Sequence, residues 1–269
     1  MSEDYLALRE EAYHLAQQLF GNDSEKCAGF TKRLLDIYTR AQGKDFLLIH
    51  NPGGWGSTLL EHCMRWERSI VEGVSDTIER LGYSWLLIQH FRSGNSWWAH
   101  MRDIKDQAYF FLKGKTFKAE VMAAELEFII RHLSSIKVIT IGVSQGAAFG
   151  NAVMQHLRGL HQVYSLELGM PFFYRSRRVV TERTLAVDSN GLMPDALMEW
   201  DIIAIVKISC AAPFRWIKYR LQGKAAKFTY CINIPGHEYN WDYPEVQRQI
   251  GDFLGINFGT KSNLERGLL

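Results

Sequence analysis

Residues 137–150 read KVITIGVSQGAAFG. Val138, Ile139, Ile141 and Val143 form a β-branched run that suits a strand buried on both faces of a parallel sheet. A turn follows at once, because Gly142, Ser144 and Gly146 make G-x-S-x-G. The spacing predicts a strand, a tight turn with Ser144 at its apex, and a helix over about 145–159. Small residues are needed on both sides of the serine, since side chains there would collide with the neighbouring strand or helix. Ala147, Ala148 and Gly150 let that helix approach the sheet closely. A serine presented in this way is a candidate nucleophile, and a plain turn serine is the other reading.

Outward from this stretch the chain alternates strand and helix. Residues 46–49, 85–89, 163–168, 184–187 and 228–234 read as strands, and 60–81, 103–113, 118–133 and 244–254 as helices. The run IIAIVKI at 202–208 has an ambiguous period, and burial in the core, as strand or as helix, is the simplest account of it. Two amphipathic helices, 3–20 and 30–38, open the chain on either side of Gly21-Asn22-Asp23-Ser24, a helix-stop and N-cap sequence. They are expected to cover one end of the sheet. The whole predicts one α/β domain over 1–269, a helical extension (1–44) on a core (45–257), with a mostly parallel central sheet of about six strands flanked by helices.

Hydrophobic residues make up 47% and charged residues 22% of the chain, enough apolar side chain for a sizeable core and no sign of disorder. Aromatic residues at 13% concentrate at Trp85, Trp97, Trp98 and Tyr109 to Phe111, and again at Phe172 to Tyr174, which suggests apolar walls around a pocket or lid. A net charge of +2 argues against a dedicated nucleic-acid binder. Arg175, Arg177, Arg178 and Arg183 cluster, as do Arg215, Lys218, Arg220, Lys224 and Lys227. Each group reads as a solvated face or as a patch for an anionic headgroup or phosphate. Cys27, Cys63, Cys210 and Cys231 are too scattered for a zinc site or a disulfide framework. With no signal-like start and no run of about 18 apolar residues, a cytoplasmic protein is the expectation. Trp216, Lys218, Tyr219 and Arg220 leave room for weak contact with a membrane surface. Oligomeric state is not readable.

A serine hydroxyl needs a base within hydrogen-bond reach, usually a histidine oriented by a carboxylate. His237 is the best placed, in a Pro-Gly-His-Glu turn between the last strand and the last helix, with His90 at the end of an earlier strand as the next candidate. The loop His50-Asn51-Pro52-Gly53-Gly54-Trp55-Gly56 is glycine-rich enough to offer backbone N–H groups to a developing oxyanion. Together FLLIHNPGGWG, VITIGVSQGAA and PGHEYNW resemble the α/β-hydrolase superfamily over roughly residues 45–257, in the order serine, acid, histidine. That resemblance implies Ser144 as nucleophile, His237 as base, Gln145 with Gly54 or Gly53 as oxyanion donors, and acyl transfer to water without metal or organic cofactor. The substrate would be a small ester with an apolar part, or a thioester whose carrier phosphates the basic clusters could hold. One departure stands out: where the superfamily commonly has an aspartate three residues before a loop proline, this chain has Gly191 before Pro194. The acid is then Asp188, at the end of its strand, or alternatively Asp195, which could instead cap a helix. A third reading is that no acid is present, and the fold serves as a silent binding protein.

Overall fold

The computed structural model describes residues 3–54, 56–93, 110, 116–199, 202–222 and 234–261. In chain order these form α1 (Glu3–Phe20), α2 (Ser24–Ala41), β1 (Phe46–Asn51), α3 (Arg65–Arg80), β2 (Trp85–Gln89), α4 (Phe117–His132), β3 (Lys137–Val143), α5 (Gln145–His156), β4 (Val163–Leu168), the single turn α6 (Phe172–Arg175), β5 (Thr184–Val187), α7 (Ile202–Leu221) and α8 (Pro244–Phe258). The strands make one five-stranded sheet, ordered β2-β1-β3-β4-β5 and parallel throughout. The strand expected over 228–234 and the helix expected over 103–113 lie outside the described residues, apart from Phe110 and Ile234.

β1 and β3 are sandwiched, as their unbroken apolar runs require. Alternate side chains go to opposite faces: Leu47, Ile49 and Val138 belong to one buried cluster with α1, α2, α4 and α5, while Phe46, Leu48, Ile139, Ile141 and Val143 belong to another with α3 and α8. Of the opening helices, α2 packs on β2, the strand at one end of the sheet, and α1 packs on α2. Leu8, Ala12 and Ala16 of α1 and Leu34 of α2 belong to the same buried cluster as α4 and α5, so both helices are built into one face layer.

The run 202–208 is helical, part of a twenty-residue helix that carries Pro213 within it. It joins the core only in part: Ile208 is buried, whereas Ile203 and Val206 are exposed. Two arginines of the basic cluster at 175–183 turn inward, which leaves them out of any anion patch. Arg178 is buried, with Nε 2.8 Å from Glu167 Oε2 and Nη1 2.6 Å from Asp188 Oδ1. Arg183, also buried, donates to the carbonyls of Leu160 and Arg158.

Candidate active site

Parallel strands bring their C-terminal ends to one edge of the sheet, where Asn51 pairs in register with Gly142, and Val143 with Leu168. β3 ends there in Ser144, whose φ of 53° and ψ of −120° make it the one non-glycine with positive φ among the described residues. Such a conformation costs about 1–3 kcal/mol and persists only where the surroundings impose it. Here they do. Ser144 N–H donates to Leu168 O at 2.8 Å, and Ser144 O receives the N–H groups of Ala147 and Ala148, which starts α5 at once. A Cβ on Gly142 would stand 2.5 Å from the Gly146 carbonyl oxygen, and one on Gly146 would overlap the carbonyl of Asn51. The two flanking glycines are thus sterically required, as the spacing predicts.

His237 reaches this edge from the loop before α8. Its Nδ1 lies 2.8 Å from Asp195 Oδ2, with Asp195 buried and the imidazole nearly so. The ring rests on Gly169, just after the Leu168 that holds the serine N–H; a Cβ on Gly169 would stand 2.9 Å from His237 Cε1. Trp66 and Tyr239 both pack edge-on against it. Nε2 has no hydrogen-bond partner among the described residues.

The carboxylate on His237 is Asp195, the alternative, and not Asp188. Asp188 ends β5 but is drawn to Arg178. Asp195 gets to the histidine because its loop runs against the His237 turn. Gly236, at φ 74°, lies directly under the Pro194 carbonyl, Ala196 N–H donates to Pro235 O at 3.0 Å, and Asn190 Nδ2 donates to the carbonyls of Gly236 and Glu238. Gly191, where an aspartate was sought, has φ 78° and no room for a Cβ beside Glu245, so the position demands glycine. The capping role also holds. Oδ1 of Asp195 accepts from the N–H groups of Leu197 and Met198, while Oδ2 accepts from His237 and from Tyr239 Oη at 2.7 Å. Burial pushes this carboxyl up, but the hydrogen bonds from His237, Tyr239 and Leu197 N–H outweigh it and hold it below the usual carboxylate range.

Of the proposed oxyanion donors, Gln145 N–H stands at the first position of α5, where no intrahelical acceptor exists, and Gly54 N–H is unpaired among the described residues. Gly53 is different: its N–H donates to Glu67 Oε1 at 3.0 Å, which removes it from that role. Glu67 and Arg92 were not singled out by sequence reasoning, yet together they hold the glycine loop. Glu67, buried on α3, also accepts from His50 Nε2 at 3.0 Å, while Gln89 donates to His50 Nδ1. The guanidinium of Arg92 donates to the carbonyls of Pro52 (2.5 Å), Gly54 (2.9 Å) and Gln145 (3.2 Å), tying loop and elbow together. Burial pushes Arg92 down to about 10, so it remains a cation at neutral pH. Only its position after β2, in the run HFRSGN, hinted at this.

Ligand atoms of His50, Cys63 and Glu67 lie within 4.8 Å of one another. Glu67 Oε1 accepts from both His50 Nε2 and Gly53 N–H, so this pair anchors the loop. His90, the second candidate base, is buried and stacked on Phe149, with Nδ1 3.0 Å from Arg33 Nη2. Arginine can only donate, so Nδ1 accepts. Burial and the nearby Arg33, Arg92 and Lys118 push its imidazole down to about 3, which suits a structural histidine.

No model of a known protein family matches the sequence, and no curated protein does. Among solved structures, a Trichoderma reesei cutinase in complex with a C11Y4 phosphonate inhibitor aligns over 92% of this chain and 98% of its own, at 14% identity and a TM-score of 0.44. A superposition that loose decides nothing about chemistry.

Proposed function

We propose that the chain is a serine hydrolase that cleaves a carboxylic ester through an acyl-enzyme. The observation that carries this is the Asp195–His237 pair, set against Gly169 with Nε2 open, at the same sheet edge as the strained Ser144 turn. In this reading His237 Nε2 takes the proton of the Ser144 hydroxyl as Oγ attacks the ester carbonyl. The N–H groups of Gln145 and Gly54 stabilise the oxyanion. The alcohol leaves with the proton from His237, and water, activated by the same imidazole, releases the acid. Asp195 holds the tautomer and stabilises the imidazolium.

A fluorophosphonate probe with mapping of the labelled peptide tests this. Labelling at Ser144, abolished by Ser144→Ala together with turnover of short aryl esters, is expected. Unlabelled Ser144 in a folded protein, or full turnover by the alanine variant, sinks the reading and leaves a silent binding protein. Assaying acyl thioesters in parallel distinguishes the thioesterase version. Arg178 and Arg183 give that version little support, since both are engaged inside the fold.

A further inference from the structure

Helix α7 carries an apolar stripe on the wrong side for a core helix. At 100° per residue, Ile203, Val206, Cys210, Phe214, Ile217 and Leu221 fall along one line of the helix. All of them are exposed, Ile203 at 81%, Phe214 at 75% and Leu221 at 84%. Ile208 and Ala212, which are buried, lie on the opposite side. The stripe therefore faces away from the body of the molecule. Lys207 and Lys218 border it on one flank and Arg220 on the other, and the sequence from 202 to 237 contains no aspartate or glutamate. No described helix is long and apolar enough to cross a membrane.

We propose that α7 docks the protein, lying flat, onto an anionic phospholipid surface. An apolar line between cations is the pattern of a helix that buries one face at the acyl boundary while its lysines and arginines meet lipid phosphates. The charge selects this occupant over a second copy of the chain. Two such helices face to face would bring Lys207, Lys218 and Arg220 of one against those of the other, with no acid in either to compensate. Twenty residues at 1.5 Å each give about 30 Å of contact, enough to hold the molecule in one orientation. The proposal goes beyond the hydrolase reading and does not depend on it.

The test is co-sedimentation of the full chain with vesicles of phosphatidylcholine alone and of phosphatidylcholine with about one third phosphatidylglycerol. Wild type should bind the anionic vesicles at least about tenfold more tightly than the neutral ones, with affinity falling as salt rises. Phe214→Asp/Ile217→Asp should abolish binding, and Lys207→Gln/Lys218→Gln should remove most of the anionic preference. Both double variants should keep the wild-type melting temperature, because the altered side chains touch solvent. An environment-sensitive dye on Cys210, in a Cys231→Ser background, should shift to the blue on anionic vesicles, a readout that needs no apolar-to-charged variant. No binding by wild type, or no dye shift on binding, overturns the proposal. So does a wild-type dimer that Phe214→Asp/Ile217→Asp dissolves without any vesicle affinity, which would assign the stripe to a protein interface.

Discussion

Asp195 answers to two demands with two oxygens, one capping the turn after it and one orienting His237. Asp188 and Asp195 sit seven positions apart in one loop, and only their partners distinguish them, Arg178 for the first and the imidazole for the second. If the hydrolase reading holds, Asp195→Asn should lower kcat on the order of 10⁴-fold, because an amide favours the wrong imidazole tautomer, while Asp188→Asn should leave kcat within about twofold. The reverse ranking in steady-state kinetics would return the role to Asp188. Arg92 acts through the backbone. Its guanidinium bonds three carbonyls and no candidate reacting atom, so within the hydrolase reading it is a positioning residue. Arg92→Lys keeps a cation but loses the planar fork that spans Pro52, Gly54 and Gln145. A kcat loss of about 10²–10³, comparable to losing one oxyanion donor, with KM nearly unchanged is the expected split. A rise in KM alone would mean that Arg92 shapes ground-state binding instead.

Gly146 shows how tightly the elbow is wedged between β1 and α5. A methyl group there would overlap the Asn51 carbonyl at the end of β1, so α5 must retreat or β1 must bend. Gly146→Ala should destabilise the protein by about 1–3 kcal/mol in urea denaturation and reduce fluorophosphonate labelling of Ser144. Unchanged stability would mean that α5 slides freely. The same wedge explains what was readable beforehand. Short runs rich in apolar and β-branched residues between turn signals mark strands, and a helix laid close to a sheet writes glycine and alanine, so β1 to β5 and α5 are legible in the sequence. Partner choice is not. Nothing in the order of residues says that Arg178 turns inward to Glu167 and takes Asp188 with it, or that Gly191 must be glycine because Glu245 lies beside it. The run 202–208 stays open for a related reason: seven mostly apolar residues do not fix a period, and nothing in them says which side meets the body. Nothing in the sequence marks Glu67, although it is buried and holds the loop.

Across the molecule, helix α2 is bound to the site edge by one polar chain. Arg33 on α2 bonds His90, just beyond β2, and Glu125 on α4, each at 3.0 Å. Arg92 and Lys118 are the other cations that bear on the imidazole. Burial pushes the Glu125 carboxyl up to about 7 against the pull of Arg33, while His90 is held down to about 3. These two groups act on folding in opposite directions. Between about pH 6.5 and 3 the unfolded chain protonates His90 and the folded chain does not, so stability falls on acidification by at most about 1.4 kcal/mol per pH unit. Between about pH 4.5 and 7 the folded chain keeps a proton on Glu125 that the unfolded chain has released, so over that span acidification is stabilising by a similar amount. The two contributions oppose each other from about pH 4.5 to 6.5, and below that His90 acts without its counterweight. His90→Gln cannot take up that proton in the unfolded state. Its denaturation midpoint should therefore fall less steeply than that of wild type between pH 4.5 and 3.5, and in the window above, where Glu125 then acts alone, it should rise on acidification. Glu125→Gln should do the converse, losing stability steadily from pH 6.5 downward. Parallel urea midpoints for the three proteins at half-unit steps decide the matter, and curves that superimpose after a vertical shift would show that neither group changes its proton affinity on folding.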